Sequence, residues 1–194
     1  MKRGEMKMKA VLNRVVALVA ALVVVASVAV AAPTEQLGER VAYEQLAKKV
    51  RKELVTLPWY GVFDNLEYAI NGSTVTLSGQ VVRASTRKDA EGRVRRLKGV
   101  ERVVNNIEVL PLSGFDDSIR ANTYRALFGW NSPLFRYGRG VNPSIHIVVD
   151  GGHVTLEGVV SNEGDRRLAY VLVNSVPGVF SVTNNIRNEN ARAR

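Results

Sequence analysis

The chain has 194 residues, with 27 Lys and Arg against 18 Asp and Glu, and it contains no cysteine. Without cysteine there is no disulfide framework, no thiol metal ligand, no thiol nucleophile and no attachment site for the lipid of a bacterial lipoprotein. The net charge of +9 indicates a polyanionic partner, either nucleic acid or an anionic surface.

The N-terminus has the pattern of a secretory signal peptide. Basic residues precede an uncharged apolar run from Val15 to Ala32, and Ala29-Val30-Ala31 has the small-x-small pattern of a cleavage site. We therefore expect residues 1–31 to be a signal peptide that is cleaved after Ala31, which makes the mature protein periplasmic. An uncleaved anchor is the alternative, because the apolar run is just long enough to span a bilayer.

Cleavage after Ala31 would leave 22 basic and 17 acidic residues, a net charge of +5. An exported protein meets little nucleic acid, so we expect no nucleic-acid partner and favour anionic lipid or cell-wall polymer. A nucleic-acid-binding module would require that the signal peptide stays uncut and the product stays in the cytoplasm.

The remaining chain is a tandem repeat, in which residues 65–110 and 144–189 align at a constant offset of 79. Turn residues, glycines and hydrophobic alternation recur together, so each half is one folding unit. We place the units at 36–110 and 115–189, joined by a linker at 111–114. The alignment pairs Asn71-Gly72 with Asp150-Gly151, Gly79 with Gly158, Gly99-Val100 with Gly178-Val179, and Asn105-Asn106-Ile107 with Asn184-Asn185-Ile186.

Periodicity predicts the same order of elements in both units. In the first unit a helical stripe ends at Pro58, alternating strands flank a two-residue turn at Asn71-Gly72, and Gly99 caps a second helix before a last strand. The fold class is therefore α+β: two tandem α-β-β-α-β units, each a three-stranded mixed sheet with two helices on one face, preceded by a signal peptide. The predicted elements are helices 39–56, 85–97, 117–129 and 164–176, hairpins 66–81 and 144–160, and strands 103–109 and 180–187.

The repeated residues resemble those of the BON domain family, which takes its name from bacterial OsmY and nodulation proteins. The resemblance covers nearly all of the chain after the signal peptide. In the first unit it lies in Asn71-Gly72, Val75-Thr76-Leu77-Ser78-Gly79-Gln80-Val81, Ala90, Gly99-Val100, Val103 and Asn105. In the second unit it lies in Asp150-Gly151, Val154-Thr155-Leu156-Glu157-Gly158-Val159-Val160, Ala169, Gly178-Val179, Val182 and Asn184.

A signal peptide followed by two such units is similar to OsmY-like periplasmic proteins. The resemblance implies a non-enzymatic module of the cell envelope that binds phospholipid membranes and is associated with osmotic or envelope stress. The first helix of each unit is the least family-like part, and the second unit has a longer loop after it.

The residues themselves give little sign of catalysis, so we expect no enzymatic activity, no cofactor and no metal. The chain has only two histidines and no Gly-rich phosphate loop. Hairpin geometry places His146, His153 and Glu157 near one another on the side of the sheet away from the helices, where they could bind zinc. Solvated polar residues on an open sheet face explain the same pattern, and the first unit has no matching histidines.

Two helices depart from the repeat. The second helix of the first unit is basic, which fits either a solvated face or an anion-attracting surface. Its counterpart in the second unit is apolar over 168–176, well beyond one stripe. We expect this apolar helix to pack against the first unit, or else to serve self-association or a partner.

The strongest candidate for membrane contact lies at the end of the first helix of the second unit and in the loop that follows. Aromatic residues there alternate with arginine, and amphipathic rings and guanidinium groups suit a lipid headgroup boundary. The alternatives are aromatics that fold back onto the helices, or a protein partner. The predicted lipid- or partner-binding residues are Tyr124, Phe128, Trp130, Phe135, Arg136, Tyr137 and Arg139.

The sequence thus predicts a periplasmic protein that binds anionic phospholipid membrane surfaces in envelope or osmotic stress. The alternative is a periplasmic chaperone-like or scaffold module that engages envelope proteins through the apolar helix. No oligomeric state is predicted.

Overall fold

A computed structural model describes residues 33–140 and 142–190, and in the first helix it describes side chains from Leu37 onward. The predicted signal peptide lies outside the described residues. Contacts divide the chain at Val41, and from Ala42 onward it forms one compact unit that contains both repeats. Within the described residues, no helix is both long enough and apolar enough to cross a bilayer.

The predicted α+β fold is confirmed, with the same element order in both repeats. Each sheet has a hairpin whose second strand also pairs in parallel with the last strand of its repeat. The first repeat comprises α1 (Pro33–Val55), β1 (Asn65–Asn71), β2 (Thr74–Val81), α2 (Ala84–Arg95), β3 (Arg102–Asn105) and β4 (Glu108–Val109). The second comprises α3 (Gly114–Phe128), β5 (Ile145–Asp150), β6 (His153–Val160), α4 (Glu163–Asn174), β7 (Ser181–Asn184) and β8 (Arg187–Asn188).

The last strand of each sheet is interrupted by the repeated asparagine. Asn105 accepts a hydrogen bond from the Ile107 N–H at 3.2 Å, while its amide donates to the Arg87 carbonyl at 3.2 Å. Asn184 makes the same pair of bonds to Ile186 and Arg166. The half-buried asparagines therefore satisfy backbone groups where the strand breaks.

Each repeat buries its own core between the helices and the sheet. The inward residues of the first helix correspond at an offset of 73, because Leu46, Val50 and Leu54 occupy the places of Ile119, Thr123 and Leu127. The sheets contribute equivalent residues to the two cores. These are Val75, Leu77 and Val81 in the first repeat and Val154, Leu156 and Val160 in the second. The offset changes from 73 in the first helices to 79 in the sheets because the loop between them is longer in the second repeat.

The apolar helix α4 does not behave as predicted. Leu168 and Leu172 pack against the core of their own repeat, and Val173 is fully buried there. Tyr170 and Val171 stay exposed. Leu168, Leu172 and Val173 are thus covered by α3 and by their own sheet, and not by the first repeat.

Candidate functional site

The end of α3 and the following loop carry the most exposed aromatic ring of this region. Trp130 is 84% exposed, and its ring meets the edge of Phe135 at a centroid distance of 5.4 Å. The Arg139 guanidinium lies over the Phe135 ring at 5.6 Å. We call these three residues the Trp130 cluster. It combines an exposed indole with an arginine supported on an aromatic face.

Two predicted binding residues lie in the core, and this corrects the predicted site. Phe128 is 4% exposed and Tyr137 is 7% exposed, so neither can contact a surface outside the protein. Gly138 lies directly against Phe128, where a Cβ would come within 2.5 Å of the ring. The Tyr137 hydroxyl donates to Asp165 at 2.6 Å and accepts from the Ser161 N–H at 3.0 Å. Half of the aromatic loop therefore folds back onto its own repeat.

Arg136 belongs to this internal arrangement. Its guanidinium pairs with Asp165 and stacks on the Tyr137 ring at 4.8 Å. Burial alone would raise the pKa of Asp165, but hydrogen bonds from Tyr137 and Arg136 hold it below its ordinary value. Arg136 therefore fixes the loop through Asp165 although its side chain is 56% exposed, and Arg139 is exposed beside Phe135.

Tyr124 lies at the border between the two repeats. Its ring contacts Phe128 edge to face at 5.3 Å and Phe63 of the first repeat at 6.2 Å. It remains partly exposed. Tyr124 thus supports the packing of residues 59–64, which we call the junction loop, and offers only its outer edge to a ligand.

The junction loop docks the first repeat onto the second. The Val62 carbonyl accepts from the Ile147 N–H at 2.7 Å, so the loop bonds to the free edge of β5. Val62 and Phe63 also pack against the second core. The two repeats therefore share apolar burial as well as a backbone hydrogen bond.

Three titratable groups lie in this junction, of which Asp64 is buried and Tyr60 and His146 are half-buried. The Tyr60 ring lies 5.5 Å from His146, and burial raises the pKa of Tyr60 to about 12. Burial also raises the pKa of Asp64 and lowers that of His146, although the Asp64 charge opposes the shift of the histidine. The junction therefore favours neutral His146. When the pH falls below the ordinary pKa of histidine, protonation of His146 opposes the docked state.

The three side chains considered as zinc ligands are each bonded to a different partner. His146 Nδ1 lies 3.2 Å from the Gly61 carbonyl, and His153 Nδ1 lies 2.7 Å from the Ser181 hydroxyl. Glu157 accepts from Asn185 at 2.7 Å. Across residues 33–140 and 142–190, no histidine and carboxylate side chains form a group able to hold a metal. His146 is also covered by Tyr60, so this part of the sheet face is not open to solvent.

A second exposed tryptophan escaped the sequence prediction. Trp59 is 69% exposed, has a backbone φ of 68° and lies under the Arg83 guanidinium at 5.0 Å. A positive φ is strained for a bulky residue. The available signal was the aromatic pair Trp59-Tyr60 directly after Pro58, of which the Tyr60 ring is half-buried in the junction and the Trp59 ring faces solvent.

The basic helix α2 carries part of its charge in ion pairs. Arg93 pairs with Glu53 at 3.4 Å, and Arg95 pairs with Glu91. A shallow cavity of about 520 Å³ beside it is lined by residues of both signs, namely Pro58, Lys88, Asp89, Glu91, Gly92, Arg93, Arg95 and Arg96. This mixed lining suits a solvated face better than a dedicated anion site.

The fold and its surfaces define a two-repeat α+β protein whose distinctive groups are exposed aromatics beside arginine. The BON domain model matches residues 43–111 and 116–190, so the chain belongs to the BON domain family and carries two BON domains. No curated protein matches the sequence.

Two similar solved structures come from Chlamydia trachomatis. CdsD, a structural protein of its type III secretion system, is 10% identical with a TM-score of 0.30, and the match covers 77% of this chain and 95% of that one. The C-terminal domain of CdsD is 12% identical with a TM-score of 0.27, covering 73% and 96%.

Proposed function

We propose that this BON-domain protein is a non-enzymatic protein of the bacterial periplasm that binds anionic phospholipid surfaces. Membership in the BON family supports a non-catalytic envelope protein. The observation that carries the lipid-binding role is the exposure of Trp130 beside Arg139. The proposal includes cleavage after Ala31, which N-terminal sequencing of the exported protein measures, and a role in osmotic or envelope stress.

The Trp130 cluster has the chemistry of a headgroup contact. An indole prefers the boundary between water and hydrocarbon, where its ring is buried and its N–H still finds a partner. The Arg139 guanidinium can bond a phosphate through two N–H groups while it rests on Phe135. Both side chains follow the end of α3, which is held by the buried residues Phe128 and Tyr137. A rigid base limits the ordering cost of binding.

Flotation with vesicles of anionic phospholipid at low salt tests this role. We expect the protein to float with the vesicles and to be released by added salt, because exposed charges are screened. Arg139→Gln should weaken binding roughly fivefold, since one basic residue near an anionic surface contributes about 1 kcal/mol. Trp130→Ala should weaken binding at both low and high salt, because its contribution is apolar.

Trp59→Ala is the matched control, because it removes a similarly exposed indole outside the Trp130 cluster. We expect this variant to float like the parent protein. Equal flotation of the parent, Trp130→Ala and Arg139→Gln variants would contradict the proposed surface. A loss only in Trp59→Ala would move the site to the other tryptophan.

The exposed part of α4 supports a second candidate, a scaffold or chaperone-like role. Tyr170 and Val171 stay exposed on this helix beside Arg166 and Arg167, around a cavity of about 450 Å³. In this case the protein should suppress aggregation of an unfolded client, and Val171→Ser should weaken the effect while vesicle binding stays unchanged. Suppression that is unaffected by Val171→Ser would contradict this candidate.

A further inference from the structure

The strands β1 and β5 occupy equivalent edges of the two sheets. Leu77 accepts from the Asn106 N–H at 2.8 Å, so its backbone groups point toward the last strand of the sheet. Tyr68 lies directly opposite Leu77 on β1. Because an antiparallel pair of this kind points both residues' backbone groups away from each other, the N–H and C=O of Tyr68 face outward from the sheet. Leu66 and Ile70 share this orientation.

The β5 edge is occupied at both equivalent positions. Ile147 matches Tyr68, and its N–H donates to the Val62 carbonyl of the junction loop. Val149 matches Ile70, and its carbonyl accepts from the guanidinium of Arg120 at 2.7 Å. Arg120 itself is buried and also pairs with Asp117 of the same helix at 2.6 Å. The second repeat thus protects its edge strand from pairing with another chain, as natural sheets commonly do.

In the described part of the chain, the β1 edge lacks both protecting groups. At the helix offset of 73, Ala47 stands in the place of Arg120. Its methyl group cannot reach the carbonyl of Ile70 or donate a hydrogen bond to it. The Leu66 N–H donates to the Tyr60 hydroxyl at the start of the strand. Beyond that point β1 has β2 as its only strand partner within the described residues. Strand β1 also contains no proline and only one charged residue, Glu67.

The sequence of β1 is complementary to itself about Tyr68. In an antiparallel pair centred there, Leu66 lies opposite Ile70 of the second copy, and Tyr68 lies opposite its own counterpart. These side chains are half-buried on the helix side of the sheet. On the other side Glu67 lies opposite Ala69, so no like charges meet. Such a contact is isologous and closes at two copies.

We propose that the β1 edge pairs with the β1 edge of a second copy of this chain, which joins the two first sheets into one continuous sheet. Outward backbone groups of Tyr68 and Ile70 would then gain partners, and apolar side chains would extend across the two-fold axis. The paired strands contain no residue of the second repeat or of the Trp130 cluster, so the proposal does not depend on lipid binding.

Sedimentation equilibrium of the purified exported protein tests the pairing through two variants of one exposed residue. Ala69→Glu places a carboxylate opposite Glu67 of the second copy, and Ala69→Lys places an ammonium group there. Within one chain both variants face the same neighbour, Thr76. We expect a monomer–dimer equilibrium in which the dimer of Ala69→Lys is about tenfold tighter than that of Ala69→Glu, because two symmetry-related pairs change together.

Thr76→Glu and Thr76→Lys are the matched controls, since they introduce the same charges one strand further from the two-fold axis of the proposed dimer. We expect these two variants to dimerise with nearly equal constants. A protein that stays monomeric at all concentrations would overturn the proposal, as would a dimer that responds equally to both Ala69 variants. A monomer that instead binds extended peptides along β1 would also overturn it and would assign the edge to a peptide ligand.

Discussion

Gly158→Ala is expected to lower the free energy of unfolding by about 3 kcal/mol or more. A Cβ at this position would lie 2.0 Å from the Ser144 carbonyl oxygen, and the backbone φ is 123°. Neither the clash nor the conformation can relax without moving the hairpin. Gly79 has the same arrangement in the first repeat, with 2.2 Å to the Asn65 carbonyl oxygen, so the two variants should agree.

Gly72→Ala separates the clash from the conformation. Its φ of 58° is also positive, but nothing lies within 4 Å of the point that a Cβ would occupy. Only the conformational strain of an L-residue applies there, and about 1 kcal/mol is expected. Urea denaturation of the three variants measures the difference, and equal losses in Gly72→Ala and Gly158→Ala would show that close approach of the backbone is not the cause.

Asp64→Ala is expected to lower the free energy of unfolding by about 2–4 kcal/mol, because it leaves two backbone donors without a partner. Asp64 is 4% exposed, and its carboxylate accepts from the Gly61 N–H at 3.0 Å and from the Val82 N–H at 2.8 Å. These bonds fix the start of β1 and the shape of the junction loop. The loss should therefore extend to the docking of the second repeat, seen as earlier exchange of the Ile147 amide hydrogen.

Asp64→Asn is the matched variant, since its amide oxygen still accepts one of the two bonds, and an intermediate loss is expected. Burial raises the pKa of Asp64, so the folded state binds the proton more tightly than the unfolded state. The contribution of this group to stability should therefore grow as the pH falls through the raised pKa, and the asparagine variant should lack this growth. Urea denaturation from neutral pH down to about pH 4 measures it, and identical profiles would contradict the assignment.

The local elements could be predicted from the sequence because each has a signal within a few residues. The turn at Asn71-Gly72, the helix ending before Gly99 and the alternation of β1 all depend on near neighbours, and the structure has each of them. Because the sequence is repeated, each of these signals occurs twice. The role of Asn105 has a different origin, since an inward amide must bond backbone groups and its partner Arg87 lies on the neighbouring helix.

The junction could not be predicted in this way. Val62 and Phe63 lie in a connecting segment without periodicity, and their partners are far along the chain, on β5 and α3. The same missing contact explains why His146 was expected on an open sheet face. In the aromatic loop, residue types alone could not separate Trp130 from Tyr137, because only the packing at Gly138 and the bond to Asp165 decide which ring faces inward.

The two connecting loops also differ in which repeat they contact. Residues 56–64 of the first repeat reach out to the next sheet, and this contact is head to tail, a type that would propagate into a filament if every repeat offered it. Residues 129–144 are the longer counterpart, and Tyr137 fastens them to Asp165 of their own repeat. Within the described residues the second repeat therefore receives a loop from the first, while its own longer loop is bonded to its own repeat.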